Sequence, residues 1–258
     1  MTVLRTHEGE GRVAVLTLSE PGRRNALSLE LSGQLADAVA ECDQDGSVHA
    51  IVITGAPPAF CAGADRGALA AAGRAGSEAQ LRGIYAGFLA VADAALPTIA
   101  AVNGPAVGAG LNLALACDVR LAGPGAVFDA RFLQLGIHPG GGMTWLAQRA
   151  VGWQTAAAMA LFGEPLDAQE AVRTGLAFRL VEVDGDPRSP AAHEAVVSAA
   201  VSFARRAAAA PRDLVVATKA ALRTTATMPA HADAVAYETT PQLASLTSLI
   251  PAAPRKDG

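Results

Sequence analysis

Charge is scarce in this chain. Only 17% of its 258 residues are Asp, Glu, Lys or Arg, and lysine occurs only as Lys219 and Lys256. The net charge is −4 and no basic stripe is visible, which argues against nucleic acid as the main partner; any anionic ligand must be met by a local cluster. Cysteine is scarce as well. Cys42, Cys61 and Cys117 are odd in number and widely spaced, so neither a disulfide framework nor a metal knuckle is suggested. The first residues, from Met1 to Glu8, lack the apolar core of a signal peptide, and a reducing cytoplasm is the expected location. There is no fixed-period repeat and no low-complexity linker. One long run, Ala94 to Cys117, has no charge at all and could span a bilayer by length. Pro97, Asn103, Pro105 and Asn112 interrupt it, however, and Asp93 and Asp118 flank it, so no membrane span is expected.

What is present is core-forming material: 51% of residues are hydrophobic. The length suits one large α/β domain or a domain with a helical appendage. Val13 to Leu18, Ala50 to Thr54 and Thr98 to Val102 are short β-favouring runs, and each ends in Gly or Pro. Between them Leu31, Leu35, Ala38, Val39 and Cys42 recur at helical spacing, as do Leu81, Tyr85, Phe88, Leu89 and Ala92. This β-α-β order predicts crossovers on a sheet, with ligand chemistry in loops beyond the carboxyl ends of the strands. Val119–Ala122, Ala126–Phe128 and Phe178–Val183 read as later strands. A Gly-rich turn after Phe132 opens a helix through Trp145, Leu146 and Val151. From Pro190 onward the pattern is helical over 191–209, 213–225 and 232–248, which predicts a core over 1–190 and a helical lobe over 191–258.

The central feature is Asn103–Asp118, where three glycines and a proline follow a strand and lead into a buried helix beginning near Leu111. A helix N-terminus has unpartnered N–H groups and a partial positive charge, and small residues let a ligand approach it closely. That geometry suits an oxyanion or a phosphate. A nucleotide-phosphate site is disfavoured because no Gly-Lys-Ser/Thr follows the glycines. A second loop, Phe60–Gly67, is also built of small residues.

Four segments together, Pro21–Ser28, Phe60–Asp65, Asn103–Gly110 and Leu135–Gly142, resemble the enoyl-CoA hydratase/isomerase, or crotonase, family. With the similar Gly163–Gly175 segment, the resemblance covers about residues 10 to 225. It implies an α/β fold, a crotonase-like spiral of β-β-α units, with a C-terminal helical lobe that builds a homotrimer or a dimer of trimers. It also implies acyl- or enoyl-CoA thioester substrates of fatty-acid metabolism, with coenzyme A as part of the substrate and no separate cofactor. By motif match the thioester oxygen would lie between the backbone N–H groups of Ala64 and Ala109. Ala26, Ala62, Gly63, Asp65, Arg66, Gly108, Gly110, Phe132 and Leu135 would line the substrate path, with Arg23 or Arg24 near the CoA phosphates.

The resemblance also exposes departures. The two glutamates that activate water in the hydratases fall at Asn112 and Phe132, and an acid kept by other members falls at Gly140. Asn can orient a water but cannot take its proton, and Phe does neither, so standard hydration is expected to be weak. Asp129 and His138 remain as alternative acid/base groups, His138 because an imidazole titrates near neutral pH. The alternatives left open are a non-catalytic acyl-CoA carrier or sensor and a different thioester reaction through Asp129 or His138. The tail from Leu249 to Gly258 is too short and Pro-broken to match the family's substrate-capping C-terminal helix.

Overall fold

A computed structural model describes residues 2–8 and 10–246. The chain begins β1 (Thr2–Glu8), β2 (Val13–Ser19), α1 (Leu29–Gln44), β3 (Ala50–Gly55), α2 (Arg66–Ala75) and α3 (Glu78–Asp93). It continues through β4 (Thr98–Val102), β5 (Pro105–Val107), α4 (Ala109–Ala116), β6 (Val119–Ala122), β7 (Val127–Asp129) and α5 (Met143–Leu161). Last come β8 (Leu166–Asp167), α6 (Ala168–Arg173), β9 (Arg179–Leu180), α7 (Pro190–Ala208), α8 (Arg212–Thr225) and α9 (His231–Leu246). The large sheet has the order β1-β2-β3-β4-β6-β9, parallel except for the antiparallel edge pair β1-β2. A small sheet, β5-β7-β8, stands beside it. The chain alternates between the two: β4 is followed by β5 and α4, and β6 by β7 and α5. This is the spiral of β-β-α turns with helices at its C-terminal end.

The strands sort their side chains by parity, as a sheet buried on both faces requires. Val13, Val15, Ala50, Val52, Ile99 and Ala101 face one core with Val196, Ala200, Val201 and Ala204 of α7. Ala14, Leu16, Ile51, Ile53, Ala100 and Val102 face the larger core, which contains Leu31 and Leu35 of α1, Phe88 of α3 and the whole apolar face of α4. The division expected at residue 190 therefore crosses a shared core: α7 is the outer layer of the sheet, and only α8 and α9 extend past it. α9 buries none of its residues. The expected helix over 232–248 is described as far as Leu246; Thr247, Ser248 and the tail lie outside the described residues. β1 is an addition to the sequence reading. It is an edge strand whose residues are exposed or half-buried, so it carries little apolar alternation. The expected strand over Phe178–Val183 shortens to Arg179–Leu180, although Phe178 N and Val181 N still donate to Arg120 O and Ala122 O.

Among the described residues, no helix is long and apolar enough to cross a membrane. The charge-free run instead becomes β4, β5 and α4 in the middle of the protein, where burial explains its lack of charge.

Candidate functional site

Three backbone segments lie side by side near the C-terminal ends of β3 and β4. On one side of the Cys61–Asp65 loop, Cys61 N donates to Pro105 O (3.1 Å) and Val107 N donates to Cys61 O (3.0 Å). On the other side, Ala62 N donates to Arg24 O (2.9 Å), Leu27 N to Gly63 O (2.7 Å) and Asp65 N to Leu27 O (2.8 Å). The amides of Gly63 and Ala64 have no protein acceptor among the described residues. Glycine permits this close stacking. A Cβ on Gly110 would collide with the Cys61 carbonyl oxygen, and one on Gly63, at φ +105°, would come within 2.8 Å of Val107 O.

Gly108, at φ +54°, turns the chain into α4, and its N–H is held by Asp129 O at 2.8 Å. Ala109 is the first residue of this fully buried helix, so its N–H has no intrahelical acceptor, and it has no other protein acceptor among the described residues. Asn25 anchors the turn that carries Arg24. It is completely buried, accepts from Glu20 N (2.9 Å) and donates to Ala56 O and Ala59 O (2.8 Å each).

Ala64 and Ala109 line one cavity of about 730 Å³. Of the residues singled out in the sequence, Arg24, Ala62, Gly63, Arg66, Gly108, Asn112, Phe132, Leu135 and His138 line it too. Arg23, Ala26, Asp65, Gly110 and Asp129 do not. Asp65 caps α2, accepting from Ala68 N (2.8 Å), and pairs with Arg23 at 2.5 Å. Gly110 acts through the close contact just described. The Asp129 carboxylate is buried and held by Arg131, whose Nε donates to it at 2.8 Å and whose φ is +54°. The sequence shows that these residues are neighbours of the loops; it does not show which side of each loop faces the cavity.

Asn112 is 1% exposed, and its Nδ2 donates to Gly140 O at 2.8 Å, tying the first turn of α4 to the Gly-rich turn before α5. Its Oδ1 is sealed from solvent and has no donor. His138 Nδ1 faces Pro139 O at 2.6 Å; a carbonyl only accepts, so Nδ1 carries the hydrogen and Nε2 is left as the acceptor. Glu78 also lines the cavity but is exposed and holds Arg82 at 2.8 Å. Burial pushes the Cys61 and Cys117 thiols up to about 12, with Cys42 at about 11, so none supplies a thiolate near neutral pH. Among the described residues no cluster of His, Cys, Asp or Glu could hold a metal ion.

Sequence reading missed Tyr85, Leu69 and Leu81 as cavity residues. Leu81 and Tyr85 read only as positions of the helical spacing that becomes α3. The usable signal was the hydroxyl of Tyr85, a polar group among apolar positions that needs either a partner or water. A second, larger groove of about 1080 Å³ beside α8 offers a different chemistry. Its buried cation, Lys219, is paired with the partly exposed Asp118 at 2.6 Å, and Arg149 lies over the Trp145 ring at 3.6 Å.

A family model described as enoyl-CoA hydratase/isomerase matches residues 8–247. The chain is 54% identical over 214 residues to a Mycobacterium tuberculosis protein named probable enoyl-CoA hydratase EchA14, covering 83% of this chain and 79% of that one. It is 43% identical over 194 residues to a probable enoyl-CoA hydratase of Rhodobacter capsulatus, covering 74% of each. Its fold is similar to the crystal structure of an enoyl-CoA hydratase from Polaromonas sp. JS666, with a TM-score of 0.83 and 28% identity over 95% of this chain and 92% of that one. The match to the family model spans both the loops that frame the cavity and the helices that close the sheet, and with these relatives it shows that the chain belongs to the enoyl-CoA hydratase/isomerase family.

Proposed function

We propose that the cavity binds a coenzyme A thioester with its carbonyl oxygen between the amides of Ala64 and Ala109. The observation that carries this reading is that both amides lack a protein acceptor among the described residues, line the same cavity and sit on segments held backbone to backbone. When an enolate-like species forms, the oxygen gains negative charge; two N–H donors and the positive end of α4 then bind it more tightly than they bind the ground state. Arg24 and Arg66 offer cationic charge for the CoA phosphates, and Phe132 and Leu135 give the acyl chain an apolar wall. In this reading the protein works in cytoplasmic fatty-acid metabolism as a homotrimer or dimer of trimers, with coenzyme A entering as part of the substrate.

Standard hydration is weak in this reading. Asn112 is a neutral amide tied to Gly140 O and cannot take a proton, Phe132 is a hydrocarbon, and the Asp129 carboxylate is paired with Arg131 away from the cavity. A second reading, a different thioester reaction, is favoured by one observation: His138 lines the cavity with Nε2 free to take a proton.

The test is crotonyl-CoA binding by calorimetry beside loss of the enoyl absorbance. Wild type is expected to bind the thioester and hydrate it slowly. Ala109→Pro deletes one amide at a helix position that tolerates proline, and any turnover should fall by ~10²–10³. Failure to bind any CoA ester would overturn the thioester reading, and turnover near ~10 s⁻¹, ordinary for an enzyme, would overturn weak hydration.

A further inference from the structure

Tyr85 projects from α3 into the same cavity, its ring 5.3 Å from that of Phe88 and tilted by 40°. Its hydroxyl abuts the Gly-rich turn: a Cβ on Gly140 would collide with Tyr85 Oη. The phenol therefore occupies the room that a side chain at position 140 would take. Gly141 is bare for a similar reason, since a Cβ there would come within 2.5 Å of Phe88 Cζ and 2.6 Å of Asn112 Nδ2. Two adjacent glycines thus let a helix on the far side of the turn set a hydroxyl against the same turn that Asn112 approaches.

That hydroxyl has no protein partner among the described residues. Several polar groups of the cavity wall are engaged elsewhere: Asn112 Nδ2 with Gly140 O, Arg131 with Asp129, Glu78 with Arg82, and Ser77 with Gln80 N; His138, Arg24 and Arg66 line the wall as well and make no hydrogen bond to Tyr85. Burial pushes the Tyr85 phenol above its ordinary pKa, so at neutral pH it is protonated and available as a donor.

We propose that Tyr85 is a specificity-determining residue whose hydroxyl donates a hydrogen bond to an oxygen on the acyl chain, so that the cavity prefers oxygenated acyl-CoA thioesters over hydrocarbon ones of equal length. The proposal rests on reading the cavity as a thioester site. A hydrocarbon chain lying over the phenol strips its water and leaves the O–H unpaired, whereas a hydroxy or oxo oxygen on the chain restores the bond.

Calorimetric titration of butyryl-CoA, 3-hydroxybutyryl-CoA and acetoacetyl-CoA into wild type and Tyr85→Phe tests this. The Phe variant keeps the ring against Phe88, and an unchanged thermal midpoint would confirm that its fold is intact. Wild type is expected to bind at least one oxygenated ester ~3–10-fold more tightly than butyryl-CoA. In Tyr85→Phe that preference should shrink to within ~2-fold while butyryl-CoA affinity is kept. Equal affinities in wild type, a preference that survives in Tyr85→Phe, or an equal loss for all three esters would each overturn the assignment while leaving the thioester reading intact. Absence of binding by every ester would instead overturn the thioester reading and the assignment with it.

Discussion

Asn112 shows how one side chain changes what a cavity can do. The amide donates to Gly140 O from a position sealed from solvent. A carboxylate there would lose that bond, face a carbonyl oxygen and carry a buried charge. Asn112→Glu is therefore expected to destabilise the fold by about 2–4 kcal/mol in urea titrations and to leave crotonyl-CoA hydration slow. At this scale the sequence located the cavity: of the small-residue loops at 62–64 and 108–110, residues 62, 63, 64, 108 and 109 line it, as do Asn112 and Phe132. The direction of side chains was not legible. Asp65 and Arg23 pair with each other and Asp129 pairs with Arg131, because opposite charges close in space neutralise one another before any ligand arrives. Tyr85 was hidden for the opposite reason, since its ring follows the helical apolar pattern and its hydroxyl does not.

Among the elements, α2 depends on its first turn. Its side chains are mostly exposed and Ala72 alone is buried, so the Asp65 cap and the left-handed Gly76 stop define its ends. Asp65→Ala removes both the cap and the Arg23 pair and should cost ~1–2 kcal/mol, while Asp65→Asn keeps the cap and should cost less than half of that, since Arg23 is half exposed. Urea midpoints of the two variants would separate the contributions, and equal losses would show that the ion pair dominates. The strands β2, β3 and β4 were plain in the sequence because two-sided burial demands continuous apolar runs. β1 escaped notice because an edge strand pairs through its backbone while its side chains stay in water. The role of α7 as the sheet's second cover was also missed, because an amphipathic helix shows that it has an apolar face and not which surface that face meets.

In the whole molecule, the C-terminal helices are fastened to the sheet by a buried cation. Lys219 on α8 lies 2.6 Å from Asp118 and donates to Leu96 O at 2.7 Å, while Asp118 also accepts from Thr98 N at 2.8 Å. Lys219→Met leaves Asp118 a third exposed and still bonded to Thr98, so the expected loss is about 2–4 kcal/mol. Burial lowers the pKa of Lys219 below its ordinary 10.5. The unfolded chain then holds that proton more firmly than the native one, so the group's contribution to stability rises with pH as 10.5 is approached. The stability gap between wild type and Lys219→Met should accordingly widen on going from neutral to alkaline solution, and a gap that narrows would contradict this account. The stacking of bare backbone at Gly63 and Gly110 reaches further than stability. A grip made of peptide groups cannot be edited by exchanging side chains, so the tools around it can be replaced one at a time while the workpiece stays clamped. In the thioester reading proposed above, a side chain exchanged at position 112 or 132 would alter what is done to the ester and leave the holding of it untouched.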